Sequence, residues 1–220
     1  MKIFSKTAIV SALIVLSCHS VLAVQAIVVD GDTIEINGVS HRLHGIDTPE
    51  AGQRCNKAGS GTWRCGDAAT EALITLTRGK DVACDNRGLD GFQRVISVCT
   101  INGVDINQLL VRQGYAWAFS KFSNDYVPAE NKARRERLGI WQAPTQTAEE
   151  FRAARWKVEK QVSPNGCPIK GNISKNGRIY HAPWSPWYSR TKISINKGER
   201  WFCSEAEALQ AGWRAPYWGN

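Results

Sequence analysis

The stretch from Ala26 to Asp47 limits the folds open to this chain more than any other feature. It reads AIVVDGDTIEINGVSHRLHGID, in which short runs of β-branched and apolar residues are interrupted by Asp30-Gly31 and Asn37-Gly38. Such dipeptides favour tight turns, and Asn-Gly is typical of a two-residue hairpin loop. The stretch therefore predicts three short strands joined by turns.

The following hundred residues add two strands and three helices to this pattern. The strands fit the runs DVACD and RVISVCTI, and the helices fit residues 66–78, 105–114 and 124–141, each ended by a glycine. Strands interleaved with helices at this density predict an α+β, mainly β fold in which a small barrel is surrounded by helices. They do not fit a parallel sheet.

Charge divides the chain into two units. The formal net charge is +8, but residues 24–143 carry 14 Lys and Arg against 14 Asp and Glu, whereas residues 144–220 carry 12 against 6. We expect one domain over 24–143, a linker helix over 144–165 and a small basic domain over 166–220. A basic surface attracts polyanions such as nucleic acid or anionic envelope polymers, although solubility alone is an alternative explanation.

The C-terminal domain is also rich in tryptophan. Six of the nine tryptophans lie after residue 144. Rings beside Lys and Arg suit stacking on single-stranded bases, but a domain of this size also needs large side chains for its core. The packing interpretation is favoured.

The first residues predict export. Lys2 and Lys6 precede an apolar run that is too short for a membrane span, and small residues follow it, so residues 1–23 are predicted to be a signal peptide. Lipoprotein anchoring through Cys18 is the alternative. We expect a secreted or periplasmic monomer without stable membrane insertion.

An even number of cysteines remains after the predicted signal, which favours disulfides in an exported chain. Zinc would need closely spaced Cys or His pairs, which the sequence lacks. Neighbouring positions favour three pairings: Cys55 with Cys65, Cys84 with Cys99, and Cys167 with Cys203.

The motif HRLHGIDTPE brings together residue types that phosphodiester hydrolysis requires. Asp32 and Asp47 are carboxylates at strand ends, and they suit a hard divalent cation such as calcium or magnesium. Glu50 could take a proton from water, while Arg42 and Arg94 are planar cations suited to phosphate oxygens. Strict strand alternation would place Arg42 and Asp47 on opposite faces.

Two explanations would bring Arg42 and Asp47 together. Gly45 could allow a bulge, or Asp47 could lie beyond the end of the strand. The sequence does not decide between them. Asp30 could assist the cation or shape the turn, and the turn is favoured.

Five ordered motifs resemble the thermonuclease family typified by staphylococcal (micrococcal) nuclease: VVDGDTIEI, HRLHGIDTPE, DGFQRVISV, LLVRQGYAWA and ARRERLGIW. The resemblance covers about residues 24–142. It implies an OB-like five-stranded barrel with three helices and a calcium-dependent nuclease that cuts DNA and RNA and leaves 3′-phosphate ends. The C-terminal domain resembles a small module found beside bacterial nucleases.

The resemblance also implies a role for each site residue. Asp32, Asp47 and the Thr48 carbonyl become Ca²⁺ ligands, Glu50 the general base or water-positioning group, and Arg42 and Arg94 the phosphate clamps. Phe92 and Phe122 stand where the family has tyrosines, so they keep rings for substrate stacking without the hydroxyl groups.

Two other function classes stay open. One is a barrel that binds nucleic acid without catalysis. The sequence argues against it, because all five catalytic and metal-binding side chains are present, namely Asp32, Arg42, Asp47, Glu50 and Arg94. The other is an envelope-polymer-binding protein whose activity lies in the basic C-terminal domain.

Overall fold

The computed structural model describes residues 25–156, 163–185 and 187–216. The predicted signal peptide lies outside the described residues. No helix within the described ranges has the length and apolar character needed to cross a membrane.

Up to Arg135, the described residues form ten strands and three helices. They are β1 Ile27–Asp30, β2 Thr33–Ile36, β3 Val39–Leu43, β4 Ile46–Asp47, β5 Cys55–Asn56, β6 Thr62–Trp63, α1 Cys65–Thr77, β7 Ala83–Leu89, β8 Val95–Ile101, β9 Val104–Asp105, α2 Ile106–Arg112, β10 Trp117–Ala118 and α3 Val127–Arg135.

The later elements include four short 3₁₀ turns. They are a 3₁₀ turn at Gly139–Gln142, α4 Ala148–Trp156, a 3₁₀ turn at Pro164–Gly166, β11 Ile169–Ser174, β12 Gly177–His181, 3₁₀ turns at Tyr188–Arg190 and Ile195–Lys197, β13 Arg200–Phe202 and α5 Glu205–Gln210.

The main sheet has the strand order β1-β2-β3-β8-β7, with β9 paired to β8. Its neighbours pair antiparallel except β3 and β8, which are parallel. The sheet is therefore mostly antiparallel, which agrees with the expectation that the elements do not form a parallel sheet, and β3 and β8 pair in parallel within it. A bridge between Gln25 and Asp81 joins the segments preceding the two outer strands. The mainly β architecture with helices is confirmed, and a closed five-stranded barrel stays a prediction.

Two helices follow the predicted bounds closely and one does not. Helix α1 buries Ala69 and Leu73 against the sheet, and Asp105 caps α2 by accepting a hydrogen bond from the Gln108 amide at 3.0 Å. The helix predicted over 124–141 ends at Arg135 instead, because Arg137 takes a left-handed conformation with φ of 51°.

The three favoured cysteine pairs are disulfides in the structure, namely Cys55–Cys65, Cys84–Cys99 and Cys167–Cys203. The second bridge joins directly opposed positions of β7 and β8. The third ties the start of the C-terminal segment, which we define as residues 163–216, to the end of β13. These bridges suggest an oxidising compartment outside the cytoplasm.

The C-terminal segment folds around its own small sheet and packs on the main one. Strand β11 lies between β12 and β13. Tyr180, Phe202 and Trp213 are buried, as the packing interpretation predicts, and their cluster includes Val29 of β1. The segment therefore shares part of its core with the main sheet.

Candidate active site

The two carboxylates predicted to bind a metal lie on opposite sides of one guanidinium. Asp32 follows β1 and Asp47 lies in β4, and both are buried. Arg42 reaches them from β3: its Nη1 contacts Asp32 Oδ1, and its Nη2 lies 3.0 Å from Asp47 Oδ1. The acids thus converge although fourteen residues separate them in the sequence.

The position of Asp47 answers the question that strand alternation left open. Strand β3 ends at Leu43, and Gly45 turns the chain with φ of 69° before β4 begins. A Cβ at this glycine would approach the Tyr126 ring to 3.0 Å, so the turn is tightly packed. Asp47 lies beyond the end of the strand that carries Arg42, and the alternation of β3 does not apply to it.

Thr48 fixes the orientation of Asp32. Its amide and its hydroxyl donate to Asp32 Oδ2 at 3.0 and 3.1 Å. On the other side, the Asp32 amide donates to Asp30 Oδ1 at 3.2 Å, so Asp30 shapes the turn. Asp32 therefore has a fixed rotamer in a buried setting.

Glu50 is held by its own loop. Its amide donates to Gln53 Oε1 at 2.9 Å, and the Gln53 amide returns a bond to the Glu50 carbonyl at 2.7 Å. Helix α1 approaches closely at Gly66, where any Cβ would lie 1.8 Å from the Glu50 carbonyl oxygen. The disulfide between Cys55 and Cys65 closes the same loop.

The environment of Glu50 changes its acidity. The side chain is buried, and burial raises its pKa to about 7, although the adjacent Arg152 opposes the rise. A carboxyl group with this pKa can gain and lose a proton near neutral pH.

Arg94 lies immediately before β8, and its guanidinium lies between several partners. Its Nε lies 2.7 Å from Asp90 Oδ2, and its Nη1 donates to Thr33 Oγ1 at 3.4 Å. Burial alone would lower the pKa of Arg94, but the charges of Glu205, Asp90 and Asp30 raise it above its ordinary value. Arg94 is therefore a fixed cation, and Asp90 anchors it.

Arg152 is the principal site residue that the sequence did not predict. It lies on α4, within the stretch predicted to be a linker. Its Nη1 and Nη2 each lie 3.0 Å from an oxygen of Asp47, and Nη1 also donates to Glu50 Oε1 at 2.6 Å. These carboxylates raise the pKa of Arg152 despite its partial burial. Helix α4 thus supplies a third arginine to the acids.

Some of these side chains line a cleft of about 650 Å³, and Asp32, Asp47 and Thr48 are not among its lining residues. Arg42, Glu50, Arg94 and Arg152 form its charged side. Its aromatic side consists of Phe92, Phe119, Phe122 and Trp184.

The two predicted stacking rings differ in their accessibility. Phe122 is 68% exposed and packs edge-on against Phe119, with ring centroids 5.0 Å apart. Phe92 is half-buried and packs edge-on against Trp184 at 4.6 Å. Phe122 is consequently the ring more open to a ligand.

The donor set fits a hard divalent cation. Arg42 contacts a carboxylate oxygen of both Asp32 and Asp47, and Ca²⁺ accepts carboxylate, carbonyl and water oxygens. Across the described parts of the chain, no three His, Cys, Asp or Glu side chains form a metal-binding group, so backbone and water oxygens would complete the shell. Because Arg152 covers both oxygens of Asp47, an ion there would compete with it.

Comparison with known proteins identifies the family. The family model described as Staphylococcal nuclease homologue matches residues 40–143, and the model named ArfC matches residues 151–215. Among curated proteins, an uncharacterized endonuclease of Escherichia coli is 33% identical over 52% of this chain and 72% of its own length. The chain belongs to the staphylococcal nuclease homologue family, and this relationship supports nuclease activity.

Other relatives carry different names. The succinoglycan biosynthesis protein ExoI of Rhizobium meliloti is 33% identical over 60% of this chain and 70% of its own length. Micrococcal nuclease of Shigella flexneri is 28% identical over 53% of this chain and 71% of its own length.

Proposed function

We propose that this protein is an exported, calcium-dependent nuclease that hydrolyses phosphodiester bonds in DNA and RNA and leaves 3′-phosphate ends. One observation carries the proposal: Arg42 contacts Asp32 and Asp47, and Arg152 joins Asp47 to Glu50 in the same contact network. Arg94 lines the same cleft as Arg42 and Glu50. The family relationship supports the reaction class, and the resemblance of the motifs supports the metal and the products.

Each group has a distinct task in this reaction. Asp32, Asp47 and the Thr48 carbonyl would hold the ion. When bound, Ca²⁺ would supply positive charge to a non-bridging phosphate oxygen. Arg42 and Arg94 donate hydrogen bonds to the phosphate oxygens, where negative charge accumulates as the attacking oxygen approaches phosphorus.

Glu50 acts on the attacking water. Its carboxylate accepts the water proton, and a pKa of about 7 lets the group both take up and release a proton near neutral pH. Arg152 restrains the same carboxylate at 2.6 Å, so Glu50 becomes free to act when Arg152 moves away from it. The aromatic side of the cleft, Phe122 above all, packs against a nucleobase.

The organisation of the chain follows from these roles. Residues 24–143 form the nuclease domain, residues 144–165, which include α4, connect it to the C-terminal domain at residues 166–220, and residues 1–23 are removed. The protein acts as a monomer in the periplasm or outside the cell, where the three disulfides persist.

The direct test is cleavage of plasmid DNA and of RNA by the purified mature protein across a calcium titration, with EGTA as the control. We expect cutting that rises with Ca²⁺, stops on chelation and yields 3′-phosphate ends. Cutting that ignores EGTA would overturn the metal assignment. Nucleic-acid binding without cutting would favour the non-catalytic alternative, and binding restricted to envelope polymers would favour the other.

A further inference from the structure

The guanidinium of Arg94 is enclosed by two different parts of the chain. Asp90 and Thr33 of the main sheet bind its Nε and Nη1. The ring of Trp184, from the C-terminal segment, covers its face, with Cζ 4.3 Å from the ring centroid. A cation on an aromatic face at this distance is stabilised and loses rotational freedom.

One edge of this guanidinium stays open. Within residues 25–156, 163–185 and 187–216, Arg94 Nη2 has no hydrogen-bond partner, and Arg94 lines the cleft beside Arg42 and Glu50. The enclosed nitrogens therefore set the direction in which the open one can donate.

The loop that carries Arg94 is also tied to the C-terminal segment. The amide of Glu205 donates to the Phe92 carbonyl at 3.3 Å, and the Phe92 ring packs against Trp184. Phe92 further contacts the apolar cluster around Tyr180 and Phe202. Movement of the C-terminal segment would consequently move the backbone two residues before Arg94.

Glu205 adds a buried charge at the same boundary. It is 1% exposed, and its Oε2 accepts from Ser40 Oγ at 2.8 Å and from the Tyr180 hydroxyl at 3.4 Å. Its carboxylate is among the charges that favour the cationic form of Arg94. The boundary between the sheets thus holds a buried acid whose charge acts on this arginine.

We propose that Trp184 and Glu205 are positioning residues for Arg94, so that the C-terminal segment completes the phosphate-binding side of the cleft. Trp184 fixes the plane of the guanidinium. The Glu205 amide holds the loop at Phe92, and the Glu205 carboxylate favours the cationic form of Arg94. The inference rests on the proposed function for its kinetic consequence, while the restraint on Arg94 is a property of the folded chain alone.

The kinetic test is a double-mutant cycle in the full mature chain. We expect Trp184→Ala to lower kcat about 10-fold with a smaller change in KM, as a desolvated cation–π contact warrants, and Trp184→Phe to recover most of the loss. Glu205→Gln, which keeps the shape of the side chain, should lower kcat several-fold. Trp187→Ala is the matched control, because Trp187 belongs to the same segment but does not line the cleft.

The decisive arm combines Trp184→Ala with Arg94→Ala. If Trp184 acts through Arg94, the double variant cuts at the rate of Arg94→Ala alone. A double variant more than threefold slower, or a Trp184→Ala variant as fast as the wild type, overturns the proposal.

A spectroscopic arm separates this proposal from the assignment as a nuclease. Hydrogen exchange at Arg94 Nε–H, followed by NMR, should be at least 10-fold faster in Trp184→Ala than in the wild type and unchanged in Trp187→Ala. Equal exchange in the wild type and in a folded Trp184→Ala or Trp184→Leu variant, neither of which keeps an aromatic face, refutes positioning even if the wild type cuts. Absence of cutting with the expected exchange would instead refute only the proposed function.

Discussion

Replacing Arg152 with glutamine should raise the affinity of the acidic site for Ca²⁺. The guanidinium contacts both oxygens of Asp47 at 3.0 Å and Glu50 at 2.6 Å, so an ion that binds Asp47 has to compete with it. The glutamine side chain is neutral and shorter. The variant therefore removes one internal competitor, leaves the contacts of Arg42 unchanged, and keeps every expected metal ligand in place.

The size of the effect follows from the geometry. Hydrogen bonds to charged groups contribute about 1.5–3 kcal/mol each, but the Arg152 side chain is 28% exposed and solvent screens its charge. We take about 2 kcal/mol for the whole interaction as a screened ion pair. Since 1.4 kcal/mol is tenfold in affinity, the dissociation constant for Ca²⁺ should fall about 30-fold.

Isothermal titration of the metal-free protein with Ca²⁺ measures this change without relying on activity. Thermal unfolding provides a second measure: the metal-free Arg152→Gln variant should unfold at a lower temperature, because Glu50 and Asp47 lose a partner, and Ca²⁺ should raise its Tm more than that of the wild type. Arg78→Gln, on an exposed arginine, is the control. A dissociation constant within threefold of the wild-type value, or a higher one, would refute the competition.

Three other predictions concern the base, the aromatic side and a buried histidine. Glu50→Gln should lower kcat on plasmid DNA by roughly 100-fold or more with an unchanged circular-dichroism spectrum; a folded variant with wild-type turnover would exclude Glu50 as the base. Phe122→Ala should raise KM for a single-stranded oligonucleotide at least about fivefold, since stacking on an exposed ring contributes about 1–3 kcal/mol per base, and an unchanged KM would contradict that role. Burial and the charge of Lys170 lower the pKa of His181 to about 4. The neutral imidazole therefore stabilises the folded state fully above the unfolded pKa near 6.5, and this contribution to the free energy of unfolding is lost as pH falls toward 4. The loss should reach about 3 kcal/mol, and plots of Tm against pH that run parallel for the wild type and His181→Gln would contradict it.

The sequence predicted the local elements better than the contacts between distant ones. Turn dipeptides and β-branched runs sufficed for β1, β2 and β3, because those signals are short-range. The meeting of Arg42 with Asp47 depends on the turn at Gly45, whose direction a strand pattern does not contain. The early end of α3 depends on a left-handed Arg137, a conformation that no residue preference indicates.

The main site residues that the sequence did not predict lie far along the chain from the motif HRLHGIDTPE. Arg152 lies 105 positions from Asp47, and α4 has enough charge to resemble a solvated connector. The complete burial of Ala148 shows that the helix packs on the protein, and the single available signal was an apolar face among its charges. Trp184 was grouped with the core tryptophans because composition does not distinguish a ring in a core from a ring over a guanidinium.

The charge distribution of the C-terminal segment has a different meaning once its contacts are known. Its basic surplus does not supply the cleft: the segment contributes Trp184 to it directly and an acid, Glu205, behind Arg94. Arg190, Lys192 and Arg214 instead line a separate groove of about 890 Å³. Charges outside the cleft attract a polyanion through the long-range field, which salt screens, whereas the restraint on Arg94 is a short-range packing effect. The same segment can therefore influence how often nucleic acid arrives and how accurately its phosphate is held, through different residues and with different dependence on salt.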